Sequence, residues 1–445
     1  MSKVVLIGAN HAGIAFANTV LGNCKDMEVV VFERNPRISY LGCGTALWVG
    51  QQIENNPENL FYTSLDQLEE KGAKVFVETE VTDIDFAAKV VTARTKDGGE
   101  IKESYDKLVL ATGSKPITPD IPGMELDNVH YLKFFHEGQA VNALMENPDM
   151  KRVAVVGAGY IGVEAAEAVR RRGRETMLFD IADTCLSGYY DPWFTETMDQ
   201  VLEENGLSLH YGETVQEIKG SGKVESIVTN KGEYPCDLVI MAIGFNANNR
   251  LGKDTLALSH NGAYKVNLKQ ETGMPDVYAI GDCATVFSNA LQDSAYIALA
   301  TNAVRSGVVA ALNVIGVPVD SGGVQGSNGI SIFGYNMVST GLNLAEAKKA
   351  GFDPLHTDFE DLQKPAFVKA ENAAVKIRIV YDKKTRRVLG AQLASTYDIS
   401  MGIHMFSLAV AKQVTIDELK LLDIFFLPHF NQPYNYITMA ALSAE

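Results

Sequence analysis

Cysteine is scarce in this chain of 445 residues, and the five present (Cys24, Cys43, Cys185, Cys236 and Cys283) form no C-x-x-C pair and no metal-type spacing with histidine. Their odd number and scatter disfavour both structural disulfides and a zinc site, so no metal is expected. Any one of them taken alone reads as a buried small hydrophobe; Cys43 is the exception developed below. No run of Lys and Arg forms a basic stripe, and the formal net charge is -16, so a nucleic-acid partner is not expected. Apolar runs are short too, none approaching the roughly 18 residues that a membrane span requires. The stretch from Lys3 to Leu21 is broken by Gly8, Asn10, His11 and Gly13 where a secretory core would be continuous. At 21% charged and 46% apolar residues, the balance is that of a soluble, cytoplasmic enzyme large enough for several domains.

What is present is a glycine-rich turn, twice. The β-branched run Lys3 to Ile7 leads into Gly8-Ala9-Asn10-His11-Ala12-Gly13, an apolar-periodic helix, and a strand from Glu28 to Phe32 that ends at Glu33. Such a turn lets backbone approach a pyrophosphate, the helix start offers free N–H groups, and the acidic strand end accepts from ribose hydroxyls. Asn10 replaces the middle glycine of the usual fingerprint. The second copy has the full pattern: Arg152 to Val156, then Gly157-Ala158-Gly159-Tyr160-Ile161-Gly162, a helix through Arg171, and a strand Glu175 to Phe179 ending at Asp180. Asp180 suits the ribose diol of NADH and repels the 2′-phosphate of NADPH, so NADH is the expected partner.

Two further segments echo each other, Leu108-Val109-Leu110-Ala111-Thr112-Gly113 and Leu238 to Gly244, each reading as a buried parallel strand that closes its unit. Val277 to Gly281 is another, and it delivers Asp282. The expected fold is α/β, with two Rossmann-like nucleotide-binding domains interleaved in sequence and a C-terminal α+β domain. The boundaries are 1–124 and 246–325 for the first unit, 125–245 for the second, and 326–445 for the third. In the third, strands at Val375 to Tyr381 and Val388 to Ala394 precede helices, and Thr415-Ile416-Asp417-Glu418 matches a capping box. It closes with Phe425, Phe426, Phe430, Tyr434 and Tyr436, which suit either a core or a subunit interface.

Cys43 lies in Ser39-Tyr40-Leu41-Gly42-Cys43-Gly44-Thr45, just before a stretch, Ala46 to Val49, that reads as helical. A thiol at a helix N-terminus is expected to have a lowered pKa, and its flanking glycines admit a flat cofactor. His11, in the first glycine turn, is placed to give a proton or steady a thiolate, though alone it reads equally as a satisfied turn residue.

With these residues the chain resembles the flavin-dependent pyridine nucleotide–disulfide reductases, in particular the single-cysteine branch of water-forming NADH oxidases, NADH peroxidases and coenzyme A disulfide reductases. The resemblance is carried by Gly8 to Gly13, the Cys43 segment, Ala111-Thr112-Gly113, Gly157 to Gly162, Gly281-Asp282 and the tail Leu427 to Tyr436. Dithiol members carry a second cysteine five positions on; here that position is Trp48, which excludes a dithiol mechanism. The Tyr40 to Trp48 segment and Gly323 to Ile330 look most like the water-forming oxidases. The resemblance implies FAD on Glu33, Cys43, Thr112, Lys133, Asp282 and Ala300. It implies NADH on Tyr160, Ile161, Asp180, Tyr189, Gly244 and Ala298, with Glu164 beside the nicotinamide, and a homodimer or homotetramer built through the C-terminal domain. The implied activity removes O2 at the expense of NADH, Cys43 cycling between thiolate and sulfenic acid with His11 as proton donor. An NADH peroxidase and a coenzyme A disulfide reductase remain alternatives, as does a slow redox sensor or electron carrier.

Overall fold

The computed structural model describes residues 2–445. Valine-rich runs buried on both faces form its first sheet, five parallel strands in the order Val277–Ala279, Lys107–Leu110, Ser2–Ile7, Met27–Phe32 and Ala73–Phe76. Val4, Val5, Leu6, Val29, Val30 and Val31 have no exposed surface, as expected where helices and loops cover both faces of a parallel sheet. Helix His11–Asn23 crosses one face, and helix Ala300–Val314, arriving from far along the chain, lies against it. The two helices meet at Gly307, where a Cβ would lie 2.4 Å from the Ala12 carbonyl oxygen.

The second sheet repeats the plan, with parallel strands in the order Leu207–Tyr211, Glu175–Asp180, Arg152–Val156, Leu238–Met241 and Val129–His130. Its outermost strand precedes the others in sequence, whereas the corresponding strand of the first sheet, Val277–Ala279, comes last. The chain therefore leaves the first unit before that unit is complete and returns afterwards, crossing between them through the antiparallel pair Ser114–Pro116 and Phe245–Ala247. Each unit also carries a three-stranded antiparallel insert, Thr79–Asp85 to Glu100–Ser104 in the first and Val215–Lys219 to Glu233–Pro235 in the second. The sequence reading anticipated neither insert.

The C-terminal unit is an antiparallel sheet ordered Asn328–Ile332, Tyr335–Gly341, Val388–Ser395, Ala374–Asp382 and Pro354–Leu362, covered by helices including Ser400–Ala411 and Tyr436–Leu442. The capping box at Thr415 forms, with the Glu418 amide donating to Thr415 Oγ1 at 3.3 Å and the Thr415 amide donating to Glu418 Oε2 at 2.7 Å. A buried polar lock joins this sheet to the second unit. Asp191 accepts from Gln392 Nε2 at 2.7 Å, its amide donates to Gln392 Oε1 at 2.7 Å, and Arg378 Nη1 lies 3.3 Å away. A buried carboxylate so fully matched is costly to disturb from either side. Of the closing aromatics, Tyr436 is buried while Phe425, Phe426, Phe430 and Tyr434 are exposed, so these four do not form core. Among the described residues no helix is long and apolar enough to cross a membrane.

The contact at Gly307 gives a direct test of this packing. Gly307→Ala is expected to force the two helices apart and cost about 1–3 kcal/mol. Gly22→Ala, in the partner helix His11–Asn23 and with no atom near its added Cβ, is expected to be neutral or stabilising by up to about 1 kcal/mol. Denaturant unfolding of both variants checks the contrast; equal effects would contradict it.

Candidate active site

Both glycine turns are built alike. Gly8 has φ +106°, its amide donates to the Phe32 carbonyl at 2.8 Å, and a Cβ there would lie 2.3 Å from the Ala111 oxygen. Gly157 has φ +102°, its amide donates to Phe179 at 2.7 Å, and a Cβ would lie 2.4 Å from the Ala242 oxygen. Gly13 and Gly162 close the turns, since a Cβ on either would collide with the carbonyl oxygen of Gly8 or Gly157, at 2.0 and 1.7 Å. The acidic strand ends brace the same turns: Ala9 N–H donates to Glu33 Oε2 at 2.8 Å, and Ala158 N–H donates to Asp180 Oδ2 at 2.5 Å. Helices His11–Asn23 and Tyr160–Arg171 then begin with no side-chain cap, at Asn10 and Gly159. Uncapped helix starts, backbone stripped of side chains and a carboxylate at each strand end are what a dinucleotide needs, so these residues fit FAD in the first turn and NADH in the second.

Cys43 is held between the two units by close packing. It sits in a one-turn 3-10 segment, Gly42–Gly44, followed by the short helix Thr45–Val49. That helix is wedged between two others. A Cβ on Gly138 of helix Phe135–Glu146 would lie 2.7 Å from Thr45 Cγ2, and one on Gly50 would lie 2.9 Å from the Ala168 Cα of helix Tyr160–Arg171. Arg172 completes the wedge, its guanidinium donating to the Val49 carbonyl at 3.0 Å, to Asn142 Oδ1 at 3.0 Å and to Glu146 at 2.6 Å. Trp48, where a second cysteine would stand in a dithiol enzyme, is buried and donates to Asn55 Oδ1 at 2.9 Å.

From the N-terminal side, Ser39 ties this segment to the first glycine turn. Fully buried and at φ +63°, it donates its amide to the Ala9 carbonyl at 2.9 Å, while its hydroxyl donates to the Thr63 carbonyl at 2.7 Å and accepts from the Thr63 amide at 3.0 Å. A non-glycine residue at positive φ costs about 1 kcal/mol or more and persists only where its surroundings demand it.

The charges around Cys43 overturn one expectation. The thiol is pushed up rather than down, first by crowding of protein around an otherwise exposed residue, then by the carboxylates of Glu164 and Asp282, with Lys133 opposing. The helix that follows has only five residues, and Cys43 lies inside the preceding turn, so no long dipole faces the sulfur. Lys133 Nζ lies 3.8 Å from Asp282 Oδ2 and 4.4 Å over the Phe245 ring; burial lowers its pKa, and Asp282, Cys43 and Glu137 raise it. Glu164 is pushed up to about 7 by burial and by Glu167. Burial likewise lowers His11, with Asp282 opposing, so its imidazole is neutral near pH 7.

The structure thus brings Cys43, Glu164, Lys133, Asp282 and His11 within electrostatic reach of one another between the two units. Gly113, at φ +67°, lets the chain leave the first sheet, and Gly244, at φ +103°, lines a small pocket with Ile161 and Lys133. Tyr160 packs edge-on against Tyr189 with centroids 4.6 Å apart. Ala298 precedes and Ala300 opens helix Ala300–Val314. The Thr112 hydroxyl is turned away to the Asn248 carbonyl, 2.6 Å away, and holds the crossing between units. Four residues here escaped the sequence reading. Ser114 donates to Asp282 at 2.8 Å, Tyr190 meets Tyr160 hydroxyl to hydroxyl at 2.8 Å, Asn328 of the C-terminal unit accepts from Tyr160, and Tyr62 meets His11. Asn328 lies in the Gly323 to Ile330 stretch that carried the resemblance, but no spacing pairs it with Tyr160, and the other three lie in no local motif.

Comparison with known proteins agrees with this geometry. The family described as "Pyridine nucleotide-disulphide oxidoreductase" matches residues 2–307, and its dimerisation domain matches residues 329–435. An NADH oxidase of Lactococcus lactis subsp. cremoris is 57% identical over 446 aligned residues, covering 100% of both chains, and one of Streptococcus pyogenes is 56% identical with the same coverage. The solved structure of a water-forming NADH oxidase from Lactobacillus brevis, bound to NADH, superposes with a TM-score of 0.96 at 37% identity, covering 99% of this chain and 98% of that one.

Glu164 offers a test of the electrostatics. Because it keeps its proton up to about pH 7, its charge presses on Cys43 only above that point. Glu164→Gln is expected to move the pH midpoint of Cys43 alkylation, followed on the Cys43 peptide by mass spectrometry, below that of the wild type. The unfolded chain releases this proton near the ordinary 4.5, so the contribution of Glu164 to folded stability falls as pH climbs from 4.5 to about 7 and then levels off. Glu164→Gln should lack that slope in thermal unfolding. A midpoint unchanged or raised, or an identical slope, would contradict the assignment.

Proposed function

The chain belongs to the pyridine nucleotide-disulphide oxidoreductase family, and on that footing we propose that it is an FAD-dependent oxidase that spends NADH to reduce O2 to water through the single thiol Cys43. One observation carries the reading: Cys43 is the exposed cysteine, packed between the two nucleotide units, while Cys185, Cys236 and Cys283 are buried and Trp48 fills the place of a second sulfur. A lone sulfur can store two electrons' worth of oxidation as a sulfenic acid when no other thiol reaches it.

In this reading FAD is held by Gly8, Asn10, His11, Ala12, Gly13, Glu33, Ala111, Thr112, Gly113, Lys133, Asp282 and Ala300, and it supplies two-electron transfer between the nicotinamide and the oxidant. NADH is held by Gly157, Gly159, Tyr160, Ile161, Gly162, Asp180, Tyr189, Gly244 and Ala298, with Glu164 at the reacting end. Lys133 balances the charge of Asp282 and of a Cys43 thiolate, which otherwise face carboxylates alone. The thiolate attacks oxygen at the peroxide level, so one oxygen leaves as water and the other stays on sulfur until two further electrons restore the thiolate.

The match to a dimerisation domain over residues 329–435 and the exposed Phe425, Phe426, Phe430 and Tyr434 support a homodimer or a larger homo-oligomer. Five free thiols support a reducing, cytoplasmic setting, where the activity would serve in oxygen detoxification.

Cys43→Ser is expected to keep oxidising NADH with O2 but to release hydrogen peroxide, approaching one per NADH, where the wild type releases almost none. A peroxide assay on the purified variant checks this. Water as the product of Cys43→Ser would remove Cys43 from the mechanism.

A further inference from the structure

The reading of Cys43 as a sulfenic-acid centre leaves a proton unaccounted for. When a thiolate attacks hydrogen peroxide, a sulfur lone pair forms the S–O bond, the O–O bond breaks, and the departing hydroxide must gain a proton to leave as water. His11 feels the same Asp282 carboxylate as Cys43, yet burial lowers its pKa, so its imidazole is neutral near pH 7. A neutral imidazole gives up its one N–H readily only if its other nitrogen gains a proton in the same step.

That other proton is in reach. Tyr62 Oη lies 3.0 Å from His11 Nδ1, and the two rings are parallel within 3°, their centroids 5.5 Å apart. Backbone pins the phenol there. Tyr40 bridges Phe61, the Leu41 amide donates to the Leu60 carbonyl at 2.7 Å, and Ser39 is bonded through its hydroxyl to Thr63 and through its amide to Ala9. Tyr62, the glycine turn that carries His11 and the segment that carries Cys43 therefore share one fixed frame. Arg37, stacked 3.4 Å over the Phe61 ring and paired with Glu58, stiffens the Tyr62 segment further.

We propose that Tyr62 and His11 form a proton relay: Tyr62 donates to Nδ1 of His11, holding the imidazole in its Nε2–H form, and the Nε2 proton passes to the departing hydroxide as the phenolic proton passes to Nδ1. The step balances as thiolate, hydrogen peroxide and phenol giving sulfenic acid, water and phenolate. The phenol, pushed up to about 12 by burial, is intact at neutral pH and is still a far stronger acid than water. Nearly half of the Tyr62 surface faces solvent, at 48%, so the phenolate regains its proton there.

The relay rests on the Cys43 reading, and one experiment separates the two. Reduced holoenzyme, as wild type and as Tyr62→Phe, is treated with hydrogen peroxide and, separately, with iodoacetamide, and modification of Cys43 is timed by mass spectrometry. Iodide needs no proton to leave, whereas hydroxide does. The relay predicts that Tyr62→Phe slows oxidation by peroxide about tenfold or more while alkylation stays within about twofold of wild type. Peroxide oxidation at the wild-type rate, or an equal fall in both rates, would overturn the relay. Failure of wild-type Cys43 to react with peroxide at all would overturn the reading of Cys43, and the relay with it.

Discussion

Each nucleotide unit depends on a backbone contact that leaves no room for a side chain. Gly8 faces the Ala111 carbonyl and Gly157 faces the Ala242 carbonyl, so in both units the first turn lies directly on the strand that closes the sheet. The helix start, the acidic strand end and the closing strand are brought to one point by that contact, and Glu33 and Asp180 secure it with hydrogen bonds to the turn amides. From the first turn the frame continues through Ala9 to Ser39, and from Ser39 to the Cys43 and Tyr62 segments. The Cys43 sulfur is thus placed by a chain of short backbone constraints rather than by a flexible loop.

The second unit reaches the same point by packing. Gly50 and Gly138 let the Cys43 helix sit between two longer helices, and Arg172 spans from one of them to the other and to the carbonyl end of the Cys43 helix. This brings Glu164 into electrical reach of the thiol. Burial first, and then Glu164 and Asp282 against Lys133, favour a neutral sulfur at rest. Its charge balance changes with whatever Lys133, Asp282 and Glu164 contact.

What could be read in the sequence was what close approach writes into local patterns. Glycines at fixed spacing, β-branched runs buried on both faces and acids at strand ends gave the two parallel units, and the position of Trp48 ruled out a dithiol. The antiparallel inserts were missed because strands such as Glu100–Ser104 carry one apolar residue among polar ones and bury little. The Cys43 pKa was misjudged because the burial that raises it, and the Glu164 and Asp282 charges that add to it, come from distant segments, and the helix meant to supply a dipole is one turn long. Ser39 at positive φ, Tyr62 against His11 and Asn328 against Tyr160 are long-range pairings with no sequence period to announce them.

The most direct test of the account is the ratio of NADH consumed to O2 consumed by the wild-type holoenzyme in an oxygen electrode, with catalase added when the NADH is exhausted. A four-electron reduction through one stored sulfenic acid predicts two NADH for each O2 and no oxygen returned by catalase. One NADH for each O2, with about half of the oxygen restored by catalase as the stoichiometry of peroxide decomposition requires, would contradict it.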